Sequence, residues 1–143
     1  MKPAKIATLA LLLGASFLVG RSLNASSPPP KPNVKNLMQQ PLDTSFTPGR
    51  EVLVDLVQIP PNTALDRHWH PGEEFHYYLE GEVEIQLEGQ PSIVGRPGTV
   101  GHVPFRKLHK AVAGRKGAKV LVFRVHTSGE PWRYLEGEGA AEH

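Results

Sequence analysis

The chain has 143 residues, 39% hydrophobic and 21% charged, with a mean hydropathy of −0.30, the size and balance of one ordinary globular domain. It has no cysteine, which excludes disulfides, thiolate metal sites, cysteine nucleophiles and lipid anchoring through a cysteine. The formal charge of +2 is a property of the leader, where Lys2, Lys5 and Arg21 face no acid; the rest holds 13 basic against 14 acidic residues, so charge gives nucleic-acid binding no support.

Lys2 and Lys5 precede an apolar run, Ile6 to Gly20, interrupted only by Thr8 and Ser16. That is the length of a signal-peptide core and short of the about 20 residues that span a bilayer. Residues 1–25 are therefore expected to be an export signal cleaved after Ala25, or else an uncleaved N-terminal anchor. Either outcome puts the remainder outside the cytoplasmic membrane, periplasmic or extracellular, with membrane contact through this segment alone. Residues 26–48 read as a Pro-rich linker and N-terminal arm. Ser26 to Pro32 is a stiff, extended tether, and Asn33 to Pro48 offers Leu37, Met38, Leu42 and Phe46 for docking without a clear period.

From Gly49 the pattern is one of short strands, and residues 49–135 are expected to form the folded domain. Fourteen glycines and 14 prolines disfavour long helices and demand frequent turns. Val52 to Ile59 is a β-branched run broken by Asp55 and Gln58. Val83, Ile85 and Leu87 alternate with Glu82, Glu84, Gln86 and Glu88, the period of a strand with one buried and one solvated face. Thr99 to Val103 and Lys119 to Val125 are further strands. Turns are expected at Pro60 to Asn62, Pro71-Gly72, Glu80-Gly81, Glu88-Gly89, Pro97-Gly98 and Gly114 to Gly117. The class is all-β, a barrel or double-sheet roll. Residues 136–143 are small and polar and are expected to form a flexible tail.

His68 and His70 are two apart, so on a strand both imidazoles share one face. Pro71-Gly72 turns the chain, and Glu73 or Glu74 can return a carboxylate towards them. Glu74, His76 and Tyr78 share one face of the next strand, and His109 stands beyond Pro104. Imidazoles and a carboxylate make a mixed nitrogen–oxygen donor set, suited to one divalent transition metal: Fe, Mn, Ni, Cu, Co or Zn.

The stretch from His68 to Gly81 resembles the first conserved motif of the cupin superfamily: His-x-His, three residues to Glu74, six more to Gly81. Gly95-Arg96-Pro97-Gly98, followed by Val103-Pro104 and His109, resembles the second. The resemblance covers residues 50–128 and points to small single-domain cupins carrying export signals. It implies a double-stranded β-helix (jelly-roll barrel) with His68, His70, Glu74 and His109 at the four metal-ligand positions. Three residues depart from the pattern: Asn62 stands for a glycine, Thr99 for an acid, and Ala113 for an asparagine that would orient His109.

The resemblance further implies a metal-dependent small-molecule enzyme of the oxygenase or dioxygenase type, an oxidoreductase. Glu74 is its candidate base and His76 its candidate proton shuttle. The alternative is a non-catalytic module that binds a small ligand or a metal. Tyr78 and His102 are candidate substrate-pocket residues. Trp69, Phe75 and Phe105 are expected in the core or cavity wall, and His126 and His143 in solvent. The partners expected are a small-molecule ligand and a second copy of the chain in a homodimer, with no nucleic acid.

Overall fold

The computed structural model describes residues 28–139; the expected export signal and residues 140–143 of the expected tail lie outside the described residues. Eight strands and no helix occur among the described residues. They are β1 (Asn33–Pro41), β2 (Arg50–Ile59), β3 (His68–Trp69), β4 (Gly72–Leu87), β5 (Ile93–Gly95), β6 (Val100–Val103), β7 (His109–Thr127) and β8 (Tyr134–Leu135).

Two long strands organise the fold. β4 and β7 pair antiparallel along nearly their whole length, from Gly72↔His126 to Leu87↔His109. One half of this pair lies in the series β1-β2-β7-β4-β6, and the other in the series β5-β4-β7-β3-β8. The sheet therefore curls over on itself instead of ending in two separate sheets. The bend falls where the register shifts, around Tyr78 to Val83, beside the pair Gly81↔Ala118. Gly81 and Gly117 both have φ of +71° there, a conformation that only glycine adopts without strain.

Two turns expected from sequence are thus not turns. Glu80-Gly81 lies inside β4 and Gly114 to Gly117 inside β7. The glycines bend continuous strands. The expected turns at Pro60 to Asn62, Glu88-Gly89 and Pro97-Gly98 are reversals, and Asn62 takes a positive φ of 53° in place of glycine. Residues Asn33–Pro41, where the sequence showed no period, form β1, which pairs with β2 along its length.

The curled sheet encloses an apolar lumen. Val57, Ile59, Tyr78, Val83, Ile85, Val103, Val120 and Val122 are buried on its inner face. This is the all-β double-stranded β-helix expected from the sequence. Phe75 and Phe105 depart from expectation, each being more than 40% exposed; Phe75 points outward because Glu74 and His76, on either side, point in.

Candidate metal centre

β3 has only two residues, but its position fixes the site. His68 pairs across the ladder with His109 at the start of β7, which brings the two distant motifs together. His70 follows, just before the chain turns into β4. One ring nitrogen from each of His68, His70 and His109 lies within 4.8 Å of the other two, and all three residues are buried.

Each ring is held from behind by a backbone carbonyl. His68 Nδ1 donates to Asp66 O at 2.7 Å, His70 Nδ1 to Trp132 O at 2.6 Å, and His109 Nδ1 to Lys107 O at 2.9 Å. A carbonyl can only accept, so each Nδ1 carries the proton and each Nε2 presents a lone pair. Lys107 O thus orients His109 without an amide at position 113, where Ala113 stands.

Glu74 lies beside this cluster. One carboxylate oxygen is 2.9 Å from His70 Nε2, and the other is 3.6 Å from His109 Nε2. His70 Nε2 is buried without a hydrogen-bond partner, because two acceptors face each other across that gap. A cation between them removes the conflict, so the donor set fits a divalent metal.

Comparison with known proteins bears on the fold. Residues 55–125 match the family model described as the Cupin domain. The chain carries a cupin domain. No curated protein matches the sequence. Among solved structures, the DMSP lyase DddQ from Ruegeria pomeroyi superposes with a TM-score of 0.62 at 22% identity, over 77% of this chain and 54% of that one. A cupin-like protein from Thermotoga maritima gives 0.57 at 20% identity, over 73% and 74%. A recombinant oxalate oxidase in complex with glycolate gives 0.58 at 22% identity, over 77% and 57%. The chain thus spans about half the length of the DMSP lyase and little more of the oxidase. At these identities the likeness is one of fold.

The interior of this cupin domain carries charge that the sequence reading did not assign. Arg124 of β7 is buried; its Nε donates to Glu74 at 2.6 Å, and its guanidinium also pairs with Asp55 of β2. The other Glu74 oxygen accepts from His76 Nε2 at 2.6 Å, and His76 Nδ1 accepts from the Tyr78 hydroxyl at 3.0 Å. Burial pushes the His68 ring down to about 3, helped by His109 and His70, and burial also lowers His70. Both rings are therefore neutral donors at pH 7. Burial opposes ionisation of Glu74, but in acid, where His70 takes up a proton, His70, Arg124 and His76 outweigh it and hold the carboxyl well below its usual range. Burial, then Glu74, pushes the Tyr78 phenol up to about 12, so it stays a hydrogen-bond donor.

The candidate residues thus divide. His68, His70 and His109 converge; Glu74 adjoins them; His76 and Tyr78 extend from Glu74 into the lumen wall. His102 does not join them. It faces outward on β6, stacks on Phe75 with ring centres 4.9 Å apart, and bonds Glu73 at 2.6 Å. The cause is alternation, since Val103 takes the inner position. His126, expected in solvent, is 1% exposed, because it continues the inward series Val120, Val122, Arg124. A charge at an inward position of an apolar strand was the signal for Arg124 and Asp55. Trp132, whose carbonyl holds His70, lies beyond the last regular strand pattern and left no comparable signal.

Proposed function

We propose that the chain is an exported, divalent-metal-dependent enzyme acting on a small molecule, of the oxygenase or dioxygenase type. The observation that carries this reading is the convergence of three buried imidazoles, each fixed by a carbonyl behind it, beside an ionised carboxylate. His68, His70 and His109 would hold the metal through Nε2, with Glu74 as the fourth donor. A bound transition metal would supply Lewis acidity and a route for electrons.

The protein's own residues would handle the proton. Glu74 Oε1 accepts the His76 Nε2 proton in a hydrogen bond, and Tyr78 supports His76 from the other side. A proton taken from substrate would rest on Glu74 itself, with His76 Nε2 orienting the carboxyl as a donor, while Arg124 favours the return of Glu74 to its ionised form. The apolar wall of Val57, Ile85, Val120 and Val122 would keep bulk water from the lumen.

A second reading, a module that binds a metal or small ligand without turnover, has its own support. Both Glu74 oxygens are already bonded, one to Arg124 and one to His76, which limits Glu74 as a base. Elemental analysis of the purified chain beside His70→Ala and Glu74→Ala tests the centre. Stoichiometric metal in the wild type and loss of most of it in His70→Ala are expected; equal metal in all three would remove the site. Oxygen uptake with catechols, flavonols and diketones then separates the readings, since uptake marks an enzyme and its absence from all three classes favours the binder.

The apolar run after Lys2 and Lys5 supports export to the periplasm or beyond. Fractionation of cells expressing the full chain and a form lacking residues 1–25 tests it, since only the full chain should leave the cytoplasm. Self-association into a homodimer is the remaining part of the proposal.

A further inference from the structure

A second pocket opens between β1, β2 and the segment after β7, lined by Asn36, Gln39, Glu51, Asp55, His126 and Trp132 among others. Arg124 partitions it from the imidazole cluster, since it bonds Glu74 on one side and Asp55 on the other.

The chemistry of this pocket is one-sided. Glu51 is 6% exposed, and its side-chain partner among the described residues is the neutral Gln39 amide, at 2.9 Å. No cationic side chain among the described residues pairs with it. Directly across the ladder from Glu51 stands His126. Its Nε2 donates to Glu130 O at 3.1 Å, which in the neutral ring leaves Nδ1 a lone pair, and that atom is buried without a partner. The Asn36 amide already donates to Asp55 at 2.8 Å. Arg124 is taken up by Glu74 and Asp55. Among its carboxylate and imidazole groups, what remains on offer is acceptors: a carboxylate without a counter-charge and a bare imidazole nitrogen. Both are costly to bury unless something donates to them.

We propose that this pocket binds a small primary ammonium compound, whose N–H groups donate to the Glu51 carboxylate and to His126 Nδ1. A bare metal ion fits less well, because the sole cluster of three or more metal-binding side chains among the described residues is the imidazole one. This site is separate from the proposed metalloenzyme function and does not depend on it.

Calorimetric titration of the full chain with n-propylammonium chloride, and with n-propanol as its neutral counterpart, tests the proposal. Saturable binding of the ammonium and none of the alcohol is expected. Glu51→Gln should weaken binding about tenfold or more, since a charged hydrogen bond becomes a neutral one. Gln39→Lys, on the exposed strand β1, should abolish it by placing a tethered ammonium beside Glu51, and should leave the thermal midpoint unchanged or raised. Chelator-treated protein, its imidazole cluster emptied of any metal, should keep the wild-type affinity. The proposal is overturned by absence of saturable binding to the wild type, by equal binding of propanol, by undiminished affinity in Glu51→Gln or Gln39→Lys, or by loss of binding on chelator treatment.

Discussion

Arg124 is the residue on which the interior electrostatics turn. It is buried between two carboxylates, and Glu74 and Asp55 have no other cationic side chain with a fixed charge beside them among the described residues. Removing it leaves both carboxylates in a medium that solvates them poorly. Arg124→Met should cost about 3–5 kcal/mol in urea unfolding, the usual price of breaking a buried pair. Adding Asp55→Asn should recover part of that loss, because one of the stranded charges is gone. A single variant within about 1 kcal/mol of wild type would mean that the pairs contribute little. The imidazoles give a separate pH signature. His68 is held neutral by burial, its folded value near 3 lying below the ordinary 6.5, so the unfolded chain binds the extra proton first. Stability from this source is complete above pH 6.5 and declines as pH falls towards about 3. Glu74 acts in the same direction, its lowered value making the folded form lose stability in acid. Thermal midpoints of chelator-treated protein should therefore fall between pH 7 and pH 4, and His68→Asn should flatten the upper part of that curve. A wild-type curve flat across this range would contradict the burial of a neutral ring.

At the scale of elements, the bend shared by β4 and β7 decides whether the sheet closes. A Cβ on Gly81 would lie 1.9 Å from Gly117 O, backbone against backbone, and one on Gly117 would lie 2.7 Å from Ile59 O. Gly89 has a similar positive φ of 66° but open space around it. Gly89→Ala should therefore cost about 1 kcal/mol, the conformational strain alone, whereas Gly81→Ala should cost at least about 3 kcal/mol or prevent folding. Comparable unfolding midpoints for the two variants would show that the strands bend without needing this close approach. The same elements explain what the sequence disclosed. Period-two alternation in Val83 to Leu87 and the spacing of His68, His70, Glu74 and His109 depend on side-chain direction, which a strand repeats every second residue. The bend was misread as two turns because a glycine at positive φ serves both, and only the pairing partner across the ladder distinguishes them. Arg124, Asp55 and His126 follow the same alternation, continuing the inward series of their strands. What alternation alone does not give is their partners, which depend on the register that β2 and β7 acquire on pairing.

At the scale of the molecule, the curled sheet has an outer face that is unusually apolar. Phe75, Tyr77, Val100, Phe123 and Val125 are each at least 37% exposed, and Val100 reaches 77%. The register makes them neighbours: Phe75 pairs with Phe123 on one side and with His102 on the other, and Tyr77 pairs with Val100. They form one continuous surface across β6, β4 and β7, bordered by the Glu73–His102 pair. Scattered exposed apolar residues are ordinary, but a contiguous face of aromatic and β-branched side chains is what an interface core requires. A stable pair of subunits buries about 800 Å² on each partner, so the contact would need the rim of this face as well as its centre. Sedimentation velocity at micromolar concentration should then show a dimer, and Phe123→Glu should convert it to monomer by burying an unpaired charge at the centre of the contact. The substitution leaves the lumen untouched, because residue 123 points away from Val122 and Arg124, so metal content should match wild type. A wild-type monomer at that concentration, or a dimer undisturbed by the glutamate, would assign this face no part in self-association.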